Sequence, residues 1–167
     1  MFRKIIIVKV DSKYCDFLRK YENKVQYNAG EKELRPFVGI LFNIGNCEYF
    51  APLSSPKPKH SRLANTLDLI KIDNGKLGVI NFNNMIPVNK SNYNIIDLNE
   101  KTNDKNKSAR ILLLKNQLRW LNKNRVDIYE KSSNLYKKYV NNLLPINVRN
   151  RCCNFILLEE KCRDYNK

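Results

Sequence analysis

The chain has 167 residues, 43% of them hydrophobic, and a net charge of +15. That much apolar material builds a buried core without disulfide or metal staples, and no apolar run approaches the roughly 20 residues of a membrane span. The basic excess is spread unevenly, +5 over the first hundred residues and +10 over the remaining 67; it points to a polyanionic partner, with nucleic acid the commonest.

Residues 1–10, MFRKIIIVKV, carry an apolar patch too short and too broken by charge for a secretory signal. The five cysteines, Cys15, Cys47, Cys152, Cys153 and Cys162, are odd in number and include no Cys-x-x-Cys pair. They read as buried, inert thiols of a soluble protein in a reducing, cytoplasmic compartment. With His60 the single histidine, no zinc site of ordinary spacing can be drawn.

The β-branched run 4–10 predicts a first strand. Tyr14, Phe17, Leu18, Tyr21 and Val25 then recur at helical spacing, with Asp11 or Ser12 placed to cap the helix. Residues 26–36 are polar, contain Gly30 and Pro36, and read as a loop that delivers Arg35 to the edge of the sheet. The most apolar stretch follows. Phe37 to Ile44 and Cys47 to Pro52 flank Gly45-Asn46, a hairpin turn signal. Pro52, Pro56 and Pro58 are expected to end the ladder at Pro52 and stiffen the exit, which carries Ser54, Ser55, Lys57, Lys59 and His60.

Residues 67–72 and 77–88 predict two more strands around Asp73-Asn74-Gly75, and a short apolar piece runs from Tyr93 to Leu98. From Asn106 to Asn142 there is no glycine or proline. The apolar spacing there predicts two helices that break near Asn124, with Lys and Arg on their outer faces. A last strand is expected around Cys152 to Phe155, passing into a short helix. The fold class this predicts is α+β, one domain over 1–167, with a small, mostly antiparallel sheet and a helical pair packed on it.

No Walker loop, dinucleotide fingerprint, zinc-protease helix or nucleophile elbow is present. Carboxylates are scattered, so no cluster offers itself to Mg²⁺, and nuclease chemistry on this chain is expected to need no metal or other cofactor. Metal-free RNA cleavage requires an in-line 2′-hydroxyl, stabilised charge on the phosphate and managed protons. Lysine, arginine, serine and tyrosine can supply these by hydrogen bonds and fixed charge. Ser55 beside Lys57 fits that requirement, and an ordinary proline turn on a basic protein fits the same spacing.

The stretch FVGILFNIGNCEYFAPLSSPKPKH, followed by LGVINFNNMIPV and by CCNFILLEEK, resembles the ToxN/AbiQ family of type III toxin–antitoxin systems. The resemblance spans nearly the whole chain in order. It implies a compact, partly open β-barrel of the Kid/MazF kind with added helices. It implies an endoribonuclease that cuts adenine-rich sites without metal and leaves 2′,3′-cyclic phosphate and 5′-hydroxyl ends. The implied partner is a repeated pseudoknot RNA antitoxin in a closed protein–RNA assembly, and the implied setting is abortive infection by phage. By position it assigns catalytic roles to Ser55, Lys57, Ser54, Tyr14 and Arg35. Arg35 stands where the family pattern has lysine, which keeps the charge but changes its geometry. The remaining basic surface, with Lys59, His60, Lys115, Arg119 and Lys123, is assigned to RNA binding. Two other readings of the same residues are a non-catalytic RNA-binding module and a MazF-like ribonuclease restrained by a protein antitoxin.

Overall fold

The computed structural model describes residues 2–27 and 35–165. Its organising element is the strand β4, Cys47–Ser54, in which every residue but the last is buried. Such a strand must be covered on both faces and paired on both edges. One edge pairs with β2, Phe37–Gly39, through Phe37↔Pro52 and Val38↔Ala51, and with β3, Asn43–Ile44. The other edge pairs with β6, Val79–Asn81, and with β7, Ile86–Val88. The remaining strands are β1, Ile6–Val10; β5, Leu69–Lys71; and β8, Tyr93–Ile95. The path β5-β6-β4-β2-β1-β8 is antiparallel throughout and ends on β5 and β8 without closing. At eight strands this sheet is larger than the sequence suggested.

Several strand predictions change, and the predicted strand 77–88 is two strands, β6 and β7, parted by a 3₁₀ turn over Phe82–Asn84. The run 37–44 is not one strand. Tyr49 accepts from the Leu41 N–H at 2.9 Å and donates to the Phe42 carbonyl at 2.9 Å, so two residues face one and the strand bulges. The ladder also continues through Pro52 to Ser54 instead of ending there. The Leu53 N–H donates to the Pro36 carbonyl at 2.9 Å, so the Pro52 nitrogen faces the opposite edge. On that edge β7 pairs up to Phe50 and β6 begins at Leu53, with a 3₁₀ turn over Phe82–Asn84 between them. Proline therefore occupies the one position at which no ladder donor is needed.

Helix α1 spans Ser12–Arg19, and the Asp11 carboxylate caps it by accepting the Lys13 N–H at 2.9 Å. Helices α2, Lys105–Lys123, and α3, Arg125–Val140, break at Asn124 as the periodicity predicts. The predicted C-terminal strand is absent. Cys152 and Cys153 instead form a buried link between α4, Ile146–Arg151, and α5, Phe155–Tyr165. The Cys153 N–H is satisfied by the Asn83 carbonyl at 2.8 Å, one bond across to a turn where a strand would need a ladder. Helix α5 covers β7 and β4 and packs on α1, while α2 lies over β1 and the turn after β5. None of the five cysteines forms a disulfide, and all are buried. Among the described residues no helix is long and apolar enough to cross a membrane.

Candidate active site

The site lies where β4 runs out. Continuing the register Phe37↔Pro52 places Arg35 opposite Ser54 on the same face. Ser54 is half-buried, and its hydroxyl accepts from the Asn81 amide at 3.4 Å. Asn81 lies on β6 diagonal to Ser54, which pairs with Val79. Arg35 is half-buried and donates to the Gln26 side-chain oxygen; Gln26 in turn donates to Asn84 at 3.2 Å. Burial lowers the Arg35 pKa, and the guanidinium remains a cation because its ordinary value is so high. Beyond Ser54 the chain leaves the sheet, and Ser55, Lys57 and Lys59 are exposed. Arg35 and Ser54 thus face each other at the end of β4, and Ser55 and Lys57 follow in the exposed segment that leaves it; this exit is the candidate ledge.

The ledge has a floor that the sequence did not reveal. Gly78 has φ +104, and a Cβ there would press onto the Ser54 carbonyl, 3.1 Å from its carbon, and lie 3.2 Å from the Ser55 carbonyl carbon. Gly75, at φ +90, presses in the same way on His60, whose carbonyl oxygen would be 2.8 Å from the added carbon. The turn 72–78 closes on itself through Ile72 N–H to Gly78 O at 2.9 Å and Leu77 N–H to Ile72 O at 3.2 Å. Helix α2 fixes it from behind, as buried Gln117 donates to the Leu77 carbonyl at 2.7 Å. Only glycine allows two backbones to approach this closely at these dihedrals. Gly78, Gln117, Asn81 and Gln26 are the residues that sequence reasoning missed.

Two assigned residues are not on the ledge. Tyr14 is fully buried, and its hydroxyl donates to the Pro87 carbonyl at 2.5 Å. Pro87 pairs with Tyr49, roughly 17 Å along the strand from Ser54. Burial, with Cys162 beside it, drives the Tyr14 hydroxyl far above the ordinary phenol value, so the ring is a core element with a satisfied hydroxyl. His60 is 2% exposed, which corrects its assignment to the RNA-facing surface. Its Nδ1 accepts the Lys57 N–H at 3.1 Å. Burial first, then the charges of Lys57 and Lys59, lower its pKa.

Lys115, Arg119 and Lys123 are exposed on α2. Their spacing of four makes one basic stripe along the helix. The stripe borders a groove of about 930 Å³ with Lys4, Ile95 and Leu118 on its walls. Arg119 also lines a smaller one, about 430 Å³, whose wall includes Lys123 and, from the floor turn, Asp73 and Leu77. The basic stripe and the serine ledge therefore meet at the same turn. Among the described residues no three His, Cys, Asp or Glu side chains gather as a metal site.

Known proteins similar to this chain identify its family. The family model described as toxin ToxN of the type III toxin–antitoxin system matches residues 6–163. The chain is 33% identical over 166 residues to the endoribonuclease ToxN of Pectobacterium atrosepticum, covering 95% of this chain and 92% of that protein. It is 32% identical over 162 residues to the ToxN of Bacillus thuringiensis subsp. kurstaki, covering 95% and 82%. The endoribonuclease AbiQ of Lactococcus lactis subsp. lactis is 31% identical over 168 residues, covering 95% and 87%. A solved chain from work on selective toxin inhibition by a non-coding RNA pseudoknot superposes at TM-score 0.83. It is 29% identical and covers 99% of both chains. An antiviral-system structure with a processed non-coding RNA gives TM-score 0.80 at 29% identity, over 97% of this chain and 99% of that one. With the family model matched over residues 6–163 and these relatives covering 95% of the chain, the chain belongs to the ToxN family of type III toxin–antitoxin toxins.

Proposed function

We propose that this chain, a ToxN-family endoribonuclease toxin, cuts adenine-rich RNA on the ledge formed by Ser54, Ser55, Lys57 and Arg35, without metal. The reading rests on two hydroxyls and two cations carried at or just beyond the end of one buried strand, with Ser54 held by Asn81. The 2′-oxygen attacks the adjacent phosphorus as its proton leaves. The bond to the 5′-oxygen breaks, and that oxygen takes up a proton. The ends are a 2′,3′-cyclic phosphate and a 5′-hydroxyl.

Negative charge grows on the non-bridging oxygens, and preorganised donors there are worth about 10²–10³ in rate each. Ser55 is placed to donate to such an oxygen, and Lys57 and Arg35 to lower the cost of its charge. Ser54, already engaged by Asn81, orients the group next to it. A repeated pseudoknot RNA antitoxin would occupy the same ledge and the basic stripe on α2, in a closed protein–RNA assembly that the toxin also processes. The setting is cytoplasmic, as one domain, in defence against phage by abortive infection. The curl of the sheet about β4 is read as a relative of the Kid/MazF barrel.

The test is Ser55→Ala, assayed on total RNA with EDTA present and by mapping 5′ ends. Cleavage is expected to fall by about 10²-fold or more while antitoxin RNA still binds. Undiminished cleavage by Ser55→Ala would place the chemistry elsewhere.

A further inference from the structure

Every residue from Ser55 to Leu67 is exposed except one, His60. The loop that carries the ledge is therefore plugged into the protein by a single imidazole. That imidazole is spent on one residue. The Lys57 N–H donates to the imidazole Nδ1 of His60 at 3.1 Å, and the backbone N–H of His60 donates to the Lys57 carbonyl at 2.9 Å. Both polar groups of Lys57's backbone are thus taken by His60. Pro56 and Pro58 bracket the lysine and fix their own φ. Each also restricts the residue before it to extended backbone, as found at Lys57, φ −133 and ψ 153. What the prolines leave soft is the Lys57 peptide itself, and His60 closes it. From below, the His60 backbone rests on Gly75, where a single added carbon would lie 2.8 Å from the carbonyl.

We propose that His60 is the positioning residue of this ribonuclease: as a neutral imidazole with Nδ1 unprotonated, it sets where the Lys57 ammonium stands over the scissile phosphate. The proposal deepens the reading of Lys57 as a working cation and rests on it. A proton on Nδ1 would turn the acceptor into a second donor facing the Lys57 N–H. The neighbours oppose that proton. Burial, Lys57 and Lys59 all lower the His60 pKa from 6.5. The turn packed beneath presents glycine backbone at the contact, and its charged residues are Asp73 and Lys76. The contact is therefore made at neutral pH and is lost as acid reaches the lowered value. Displacement of a positioned group by about 1 Å can cost on the order of 100-fold in rate.

The experiment is single-turnover cleavage of an adenine-rich oligoribonucleotide in EDTA by wild type, His60→Leu, His60→Asn, Lys57→Ala and Ser55→Ala, from about pH 5 to pH 8. His60→Leu fills the plug but removes the acceptor, and its single-turnover rate at saturation is expected to fall at least about tenfold with the half-saturating enzyme concentration within about twofold. In His60→Asn the side-chain oxygen replaces Nδ1, and most of the rate returns. The ratio of wild type to His60→Asn falls below pH 6.5, because only the histidine can gain a proton there. That ratio decides the matter even if His60→Leu fails to fold. Equal damage in the two His60 variants, or a ratio flat with pH, overturns the positioning role and leaves the ledge standing. Full cleavage by Lys57→Ala overturns the site assignment, and this proposal with it.

Discussion

Replacing Gly78 by alanine sets a methyl group against the backbone of Ser54 and Ser55. The neighbouring atoms are carbonyl carbons at 3.1 and 3.2 Å and the Ser54 oxygen closer still. None of these is the free end of a flexible side chain, so the clash is relieved only by moving one backbone off the other. The φ of +104 adds strain for any residue with a Cβ, about 1–3 kcal/mol. At roughly 2–4 °C per kcal/mol for a chain of this size, the midpoint should fall by about 2–12 °C. Separating the two backbones requires a shift of roughly an ångström at Ser54–Ser55, which should cost on the order of 100-fold in cleavage. Gly45→Ala is the control. Its φ is +58, but nothing lies within 4 Å of the added carbon, so it carries strain of about 1–2 kcal/mol and no displacement of the ledge. Both variants are assayed by thermal melting and by single-turnover cleavage well below their midpoints. Gly78→Ala should lose activity out of proportion to its stability, and Gly45→Ala should not. A folded Gly78→Ala that cuts at the wild-type rate would refute the claim that the 72–78 turn sets the serines.

Asn81→Ala removes the donor to the Ser54 hydroxyl; stability should change by only about 0.5–1.5 kcal/mol while cleavage drops several-fold, and an unchanged rate would remove Asn81 from the site. Asp68 is 3% exposed. Burial raises its pKa, but hydrogen bonds from Arg151 and Thr66 and the charge of Arg151 outweigh it and leave the carboxyl below 3.8. A depressed carboxylate stabilises the fold above its unfolded value and loses that contribution as pH falls through its folded one. Arg151, which grips Asp68 at 2.8 and 3.0 Å, is half-exposed. Arg151→Met should therefore cost about 1–3 kcal/mol in urea melts at neutral pH, and the gap to wild type should narrow as the pH falls below 3.8. Burial pushes the thiols of Cys152, Cys153 and Cys162 up to about 12. All five cysteines should resist alkylation in the native protein at pH 8 and react together after denaturation; rapid labelling of the native state would contradict the burial.

Where the physics is local, the sequence was sufficient. Asp11 caps α1 because its carboxylate reaches an N–H two residues away. The Gly45-Asn46 turn and the break at Asn124 follow from dihedral preference and from the spacing of apolar side chains. The charge and the resemblance of Phe37 to His60 led to the family and to Ser54, Ser55, Lys57 and Arg35. Tertiary structure decided what depends on partners distant in the chain. Pro52 stays in its strand because its nitrogen faces the gap between β7 and β6. Cys152-Cys153 looked like a strand because both are apolar, and it is a link between helices because one turn, at Asn83, meets it. Tyr14 has its hydroxyl on a carbonyl 73 residues away, which no spacing within its own helix encodes. His60 reads as a surface cation beside two lysines until the fold turns it inward against Gly75. Gly78 and Gln117 carry no motif at all, yet they set the height of the serines. Primary structure dictates which chemical groups leave the sheet at the end of β4; the packing of the 72–78 turn against that exit sets where they stand, because the closest contacts there are between backbones, which share no residue-type code.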